Sequence, residues 1–302
     1  MTPATGEDAT ASVDATVSGD PATTADPAAV EGAGDSDGLA GRSTLLAWVL
    51  YKRFLLLVRY PVNTVAQFVS VYMFFAVVFF GGQAAAGQLQ GGGAAALGGA
   101  FDGIIVGWFL WTMSLTAYFS LVQTATNEAQ WGTLEQLYMS PYGFGTVMVS
   151  QVVAFVIESL LWGGGILALM LLTTGRTLSV DLLTVVPVSL FGLLSVVGIS
   201  FAFGGLALVY KRIENVTQLV QFVLIGLIAA PVAKIDALGY LPLVESAGLL
   251  QRAMQDGVRL WEFPAADLAT LVGTGLGYFA IGFLAFRYAG RVARRRGVLG
   301  HY

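Results

Sequence analysis

The chain has 302 residues, 56% of them hydrophobic and only 11% charged, where a soluble domain carries roughly 25% charged residues. It has no cysteine, and its single histidine is His301, which excludes disulfides, thiolate chemistry, cysteine metal sites and any histidine-based zinc site or serine–histidine triad within the apolar segments. The net charge of −4 averages two unlike parts: residues 1–40 hold eight acidic side chains and no Lys or Arg, and the rest holds all fifteen basic and eleven acidic residues.

Residues 1–40 are rich in Ala, Thr, Gly and Ser and poor in aromatics. That composition predicts a disordered acidic tail, because it buries too little surface to offset the entropy of folding. The tail also lacks the basic and apolar regions of a signal peptide. Over residues 42–60, Arg42, Lys52, Arg53 and Arg59 punctuate Leu45, Leu46, Val49, Leu50, Phe54 and Leu57. A basic amphipathic helix on the inner membrane surface is predicted, with Trp48 and Tyr51 at headgroup level and Pro61 ending it. Anchoring the first span is the plainer role for the same charges.

Six windows reach the roughly 20 apolar residues that cross about 30 Å of hydrocarbon: 62–80, 103–122, 145–172, 182–209, 216–233 and 266–286. Gly163 to Gly165 and Gly204–Gly205 fall in the third and fourth, as close-packing points or bends. With the N-terminus inside, the inner segments hold eleven Lys and Arg and the outer ones four: Arg176, Lys234, Arg252 and Arg259. Both termini are therefore expected in the cytoplasm. The Arg291 to Arg296 run reads as an orientation anchor for anionic lipid and not as a nucleic-acid patch. Outside, residues 81–100 are a glycine-rich connector, and 234–265 hold an apolar run able to enter the bilayer part-way as two half-helices.

One polar insert separates the second and third spans, from Asn127 to Pro141. Read as a short helix, it is capped by Asn127 with Gln130 at the reciprocal position. Trp131, Leu134 and Tyr138 share one face, with Glu128 and Glu135 mostly away from it. Ser140–Pro141 ends it. A short amphipathic helix on a membrane hairpin is a docking device, and the charge asymmetry independently puts it in the cytoplasm.

Glu128, then Gly132-Thr133-Leu134-Glu135-x-Leu137, then Ser140-Pro141, resembles the loop between the second and third spans of ABC-2 type permeases, the membrane subunits of one class of ATP-binding-cassette exporters. The hydropathy order over roughly residues 42–302 is similar to the same family. The resemblance implies an all-α integral membrane protein of the cytoplasmic membrane, with a 1–40 tail and a 41–302 domain. That domain would comprise six transmembrane helices, a membrane-surface N-terminal helix and a cytoplasmic coupling helix seated in a groove of a separate ATPase subunit. Glu128 and Glu135 would meet polar or basic groups there, and Trp131, Leu134 and Leu137 would be apolar anchors. A pair of short helices before the last span would form an outer cap, and a second copy or a paralogue would complete the pore.

No G-x-x-x-x-G-K-[ST] phosphate loop occurs, so no nucleotide site, cofactor or catalytic residue is expected in this chain. ATP and Mg would sit on the partner ATPase. Glu158 is the sharpest intramembrane polar candidate, either on a substrate path or in a packing network, or else near the membrane edge or in a structural hydrogen bond. Gln67, Gln123, Gln151, Gln218 and Gln221 are expected to bond between helices. Trp108, Trp111, Tyr118 and Phe119 either line a cavity for an amphipathic molecule or serve packing and interfacial anchoring. The rival reading is a secondary transporter or channel without an ATPase, for which a single mid-span Glu and no evident repeat are poor support. A membrane-embedded enzyme is weaker still, and a scaffold-like partner of an ATPase remains open.

Overall fold

A computed structural model describes residues 36–88, 94–130, 144–210, 214–230 and 236–295. The chain divides into two units, residues 1–41 and 42–302. Among the described residues all regular structure is helical: α1 (Ser36–Arg59), α2 (Pro61–Gln88), α3 (Ala94–Gln130), α4 (Phe144–Thr174), α5 (Leu182–Val209), α6 (Glu214–Ile228), α7 (Val244–Gln255) and α8 (Ala265–Arg295). Two short 3₁₀ segments, Asp236–Tyr240 and Leu260–Glu262, flank α7. The helix over 42–60 is present and begins earlier, at Ser36, inside the stretch expected to be tail. Residues 1–35 lie outside the described residues.

Five helices are long and apolar enough to cross a membrane: Pro61–Gly87, Gly99–Thr124, Val147–Thr174, Leu182–Val209 and Ala265–Ala293. The sixth expected span, 216–233, is instead the 15-residue α6, about 22 Å long at 1.5 Å per residue, which is short of a bilayer. Its helix stops before Ala230, the residue that Pro231 in the sequence biases away from helical geometry. α3, with 37 residues, is about 55 Å long and exceeds the hydrocarbon thickness by far.

Local chemistry sets the helix ends. The Asp181 carboxylate caps α5, accepting from the Leu183 N–H at 3.3 Å and the Thr184 hydroxyl at 2.7 Å. α4 ends where Gly175 takes a left-handed φ of 64° and donates its N–H to Leu171 O at 3.1 Å, a helix stop for which glycine carries no steric penalty. Pro61 opens α2, where a missing N–H costs nothing.

α3 and α5 form the centre. Ile105, Leu110, Met113, Ala117 and Tyr118 of α3 are fully buried, as are Val188, Leu193, Val196 and Val197 of α5. Lipid tails are as apolar as these side chains, so contact between such helices rests on close van der Waals packing more than on expulsion of water. Glycines supply that closeness between α5 and α8. A Cβ placed on Gly198 or on Gly282 would collide with the other helix's backbone, at Tyr278 and Gly198 respectively, and one on Gly275 would lie 2.7 Å from Phe191 O. Gly198 and Gly205, like Gly275 and Gly282, are seven residues apart, so they fall on one seam. In α4 the glycine triplet also serves packing: Gly163 abuts Met113, Gly165 abuts Phe68, and the helix runs through without a break.

α7 packs against α3 and α5 and is tied down by the Ser179 N–H donating to Met254 O at 2.9 Å. Its first turn follows Leu243, a buried non-glycine residue with a φ of 66°. Leu243 is thus held in a conformation that a side chain disfavours. α7 and the flanking 3₁₀ turns occupy the place read as two half-helices before the last span. At this end of the bundle Arg176 lies 3.4 Å from Asp102, and Arg252 lies 2.7 Å from Asp267.

Candidate functional site

A cavity of about 1290 Å³ lies between α1, α2, α3, α4 and α6. Each helix contributes one face at helical spacing. From α1 come Val49, Lys52, Arg53, Leu56 and Leu57, with Tyr60 just after it, and from α2 come Asn63, Thr64, Gln67 and Val71. α3 gives Trp111, Thr112, Leu115, Thr116, Phe119, Ser120, Gln123, Thr124 and Asn127. α4 adds Gln151, Glu158 and Trp162, and α6 adds Gln218 and Gln221. From Trp111 to Asn127 the wall runs about 24 Å along α3 at 1.5 Å per residue, reaching the end of the bundle that leads into residues 131–143.

The walls set polar side chains among apolar ones, with hydroxyls and amides running along α3. Several hydroxyls are turned back on their own helix: Thr112 donates to Trp108 O at 2.9 Å, Thr116 to Thr112 O at 3.0 Å and Thr124 to Ser120 O at 2.7 Å. Those bonds satisfy the hydroxyl protons and leave the oxygens as acceptors. The five glutamines do not form the interhelical bonds expected of them. All five line the cavity, and among the described residues none has a hydrogen-bond partner. An amide needs polar company, and here the cavity takes the place that a facing helix was expected to fill.

Glu158 lines the cavity, and its Oε2 accepts from Arg53 Nη1. The two side chains are only 16% and 25% exposed, and the Arg53 guanidinium lies 3.8 Å from the centroid of the Phe155 ring. A carboxylate withdrawn from water is stabilised by such a charge-assisted bond. Arg53 is therefore no free surface charge, as α1 was expected to carry. Lys52 and Arg59 are both exposed; Lys52 lines the cavity beside Arg53 and forms no ion pair among the described residues, and Arg59 is outside the lining.

The four aromatics divide. Trp111 and Phe119 line the cavity. Trp108 belongs to a cluster with Phe74, Phe75 and Trp111, at centroid distances of 5.0, 5.7 and 4.9 Å, and Tyr118 is fully buried beside Phe119 and Phe203. Of the insert, Asn127 and Glu128 are part of α3, which continues to Gln130. Asn127 is thus a helix-interior residue on the cavity wall, not the N-cap of a separate helix. Trp131, Gly132, Thr133, Leu134, Glu135, Leu137, Tyr138 and Pro141 lie outside the described residues.

Sequence reasoning passed over the polar stripe of α3. Thr112, Thr116, Ser120, Gln123 and Asn127 recur every three or four positions, a 3.6-residue period of small polar groups in an apolar span. That signal was available. Among the described residues no group of three or more His, Asp or Glu is placed to hold a metal. No family model matches the chain, and no curated protein matches it.

Proposed function

We propose that the chain is the permease subunit of an ATP-binding-cassette transporter of the ABC-2 type, an exporter that moves its substrate across the cytoplasmic membrane with energy from a separate ATPase subunit. The observation that carries this reading is the cavity. Its lining mixes polar and apolar side chains, and it is large enough for a small amphipathic molecule. It also reaches the end of the bundle where α3 leads toward the 131–143 segment that resembles a coupling helix. In the proposed orientation both termini and that end are cytoplasmic, so the cavity is accessible from inside. ATP-driven closure of the ATPase would move residues 128–139 and, through α3 and α4, two walls of the cavity. Such a mechanism requires the two access states to differ in their contacts at the docking loop. A second copy or a paralogue would complete the pathway.

The test is extraction of the tagged full-length protein from its native membrane under mild conditions, followed by mass spectrometry of what stays bound. A stoichiometric ATPase carrying a phosphate loop is the expected result. A folded chain that captures no such subunit would overturn the reading and bring forward a secondary transporter or channel.

A further inference from the structure

We infer that the cavity accepts an anionic amphiphile, with its acidic headgroup on Lys52 and its uncharged polar portion on side-chain amides. That this molecule is a transported substrate rests on the permease reading; that it binds does not.

Charge decides first. Among the described residues the cavity wall has three side chains of full charge, Lys52, Arg53 and Glu158. Arg53 and Glu158 neutralise one another, which leaves Lys52. A cation entering this space meets Glu158, the one carboxylate that the described residues place on the wall, already committed to a guanidinium. An acidic group meets the Lys52 ammonium, which is exposed to this space and forms no ion pair among the described residues. Two equal charges of opposite sign would have left the sign of the ligand open; the pairing of Arg53 with Glu158 is what settles it.

The rest of the wall fits the body of such a molecule. Gln67, Gln123, Gln218 and Gln221 each offer a donor and an acceptor that no described residue engages. They suit hydroxyl, ester or amide groups. Trp162, stacked on Phe68 at 4.9 Å, and Phe119 give the apolar portion rings to lie against.

An ordinary interfacial lysine would also attract lipid phosphate, and the structure provides the control. Arg59 is on the same helix seven residues on, exposed as Lys52 is but outside the cavity lining. The full-length protein in nanodiscs of zwitterionic phosphatidylcholine would be titrated with dodecyl phosphate, dodecyl maltoside and dodecyltrimethylammonium, each brominated at the chain end, and quenching of tryptophan fluorescence read. Saturable quenching is expected for the phosphate at lower concentration than for the maltoside, with only linear partitioning for the ammonium. K52Q should raise the half-saturating phosphate concentration about tenfold, the scale of one charge-assisted contact, and leave the maltoside unchanged. R59Q should leave both unchanged, and Gln218→Leu with Gln221→Leu should weaken both. Equal effects of K52Q and R59Q, tightest binding of the ammonium, or no saturation by any probe would overturn the inference. A co-purifying ATPase alongside three probes that behave alike would remove the ligand class and spare the permease reading. The expected probe order with no ATPase would do the reverse.

Discussion

The Arg53 guanidinium donates to the Glu158 carboxylate across 105 positions of sequence, joining α1 to the middle of α4 at the cavity wall. This contact fixes a helix that otherwise shows much of its surface: Trp48, Tyr51, Phe54 and Val58 are all exposed. It also makes the charge of one helix depend on the other.

Breaking the pair from either side is therefore expected to cost more than removing both partners. Arg53→Gln or Glu158→Gln leaves a part-buried charge without its counter-ion, which should cost about 1.5–3 kcal/mol, the range for hydrogen bonds to charged groups. The double variant should be less destabilised than the sum of the singles. Thermal unfolding of the purified protein in detergent, run as a double-mutant cycle, checks this. Additive losses would show that the two side chains do not act together.

The seam between α5 and α8 makes a second prediction, independent of function. A methyl on Gly282 meets the backbone of Gly198, and backbone cannot move aside as a flexible side chain can. Gly282→Ala is expected to destabilise by about 1–3 kcal/mol, the scale of overpacking. Gly277, on the same helix, has nothing within 4 Å of an added Cβ. Gly277→Ala should be neutral or gain up to about 1 kcal/mol from helix propensity. A comparison of melting temperatures decides it, and equal behaviour of the two variants would mean that the helices do not approach this closely.

Much of this fold was legible because apolar length is a strong signal: five of the six predicted windows correspond to long apolar helices. The sixth window holds the 15-residue α6, which ends before Pro231, since the residue before a proline tends to leave the helix. The cavity was harder to see. A mid-span glutamate is visible in sequence, but its partner on α1 is not, since nothing local links positions 53 and 158. Arg53 was read with Lys52 and Arg59 as one basic face; the three differ only in what the other helices bring to them. The glutamines were expected to bond between helices, and instead they line the cavity. What sequence alone could not supply was whether a helix or an open space lay opposite.

The docking role of the 128–139 segment is tested at Glu135, which lies outside the described residues. Glu135→Arg is expected to leave the protein inserted and folded while lowering capture of the ATPase by about tenfold, the loss of one charge-assisted contact plus repulsion from basic groups. Co-purification yield against wild type, with membrane insertion measured in parallel, reads both parts. Unchanged capture would remove Glu135 from the interface.

Glu245, in α7 and outside the five spanning helices, makes stability depend on pH in a direction opposite to that of a well-paired carboxylate. Burial raises its affinity for a proton above the ordinary value of 4.5, the nearby charge of Asp267 raises it further, and Arg252, itself bonded to Asp267, lowers it. The folded state thus holds a proton that the unfolded chain has already released. Stability from this group is present below the ordinary carboxylate pKa and is lost as pH rises through the folded-state value. Glu245→Gln should accordingly raise the melting temperature at pH 7.5 and change it least at pH 4.5. The difference between variant and wild type isolates Glu245 from every other titrating group. A variant less stable than wild type at pH 7.5 would mean that Arg252 outweighs burial and Asp267, so that the charged form of Glu245 is the one the fold favours.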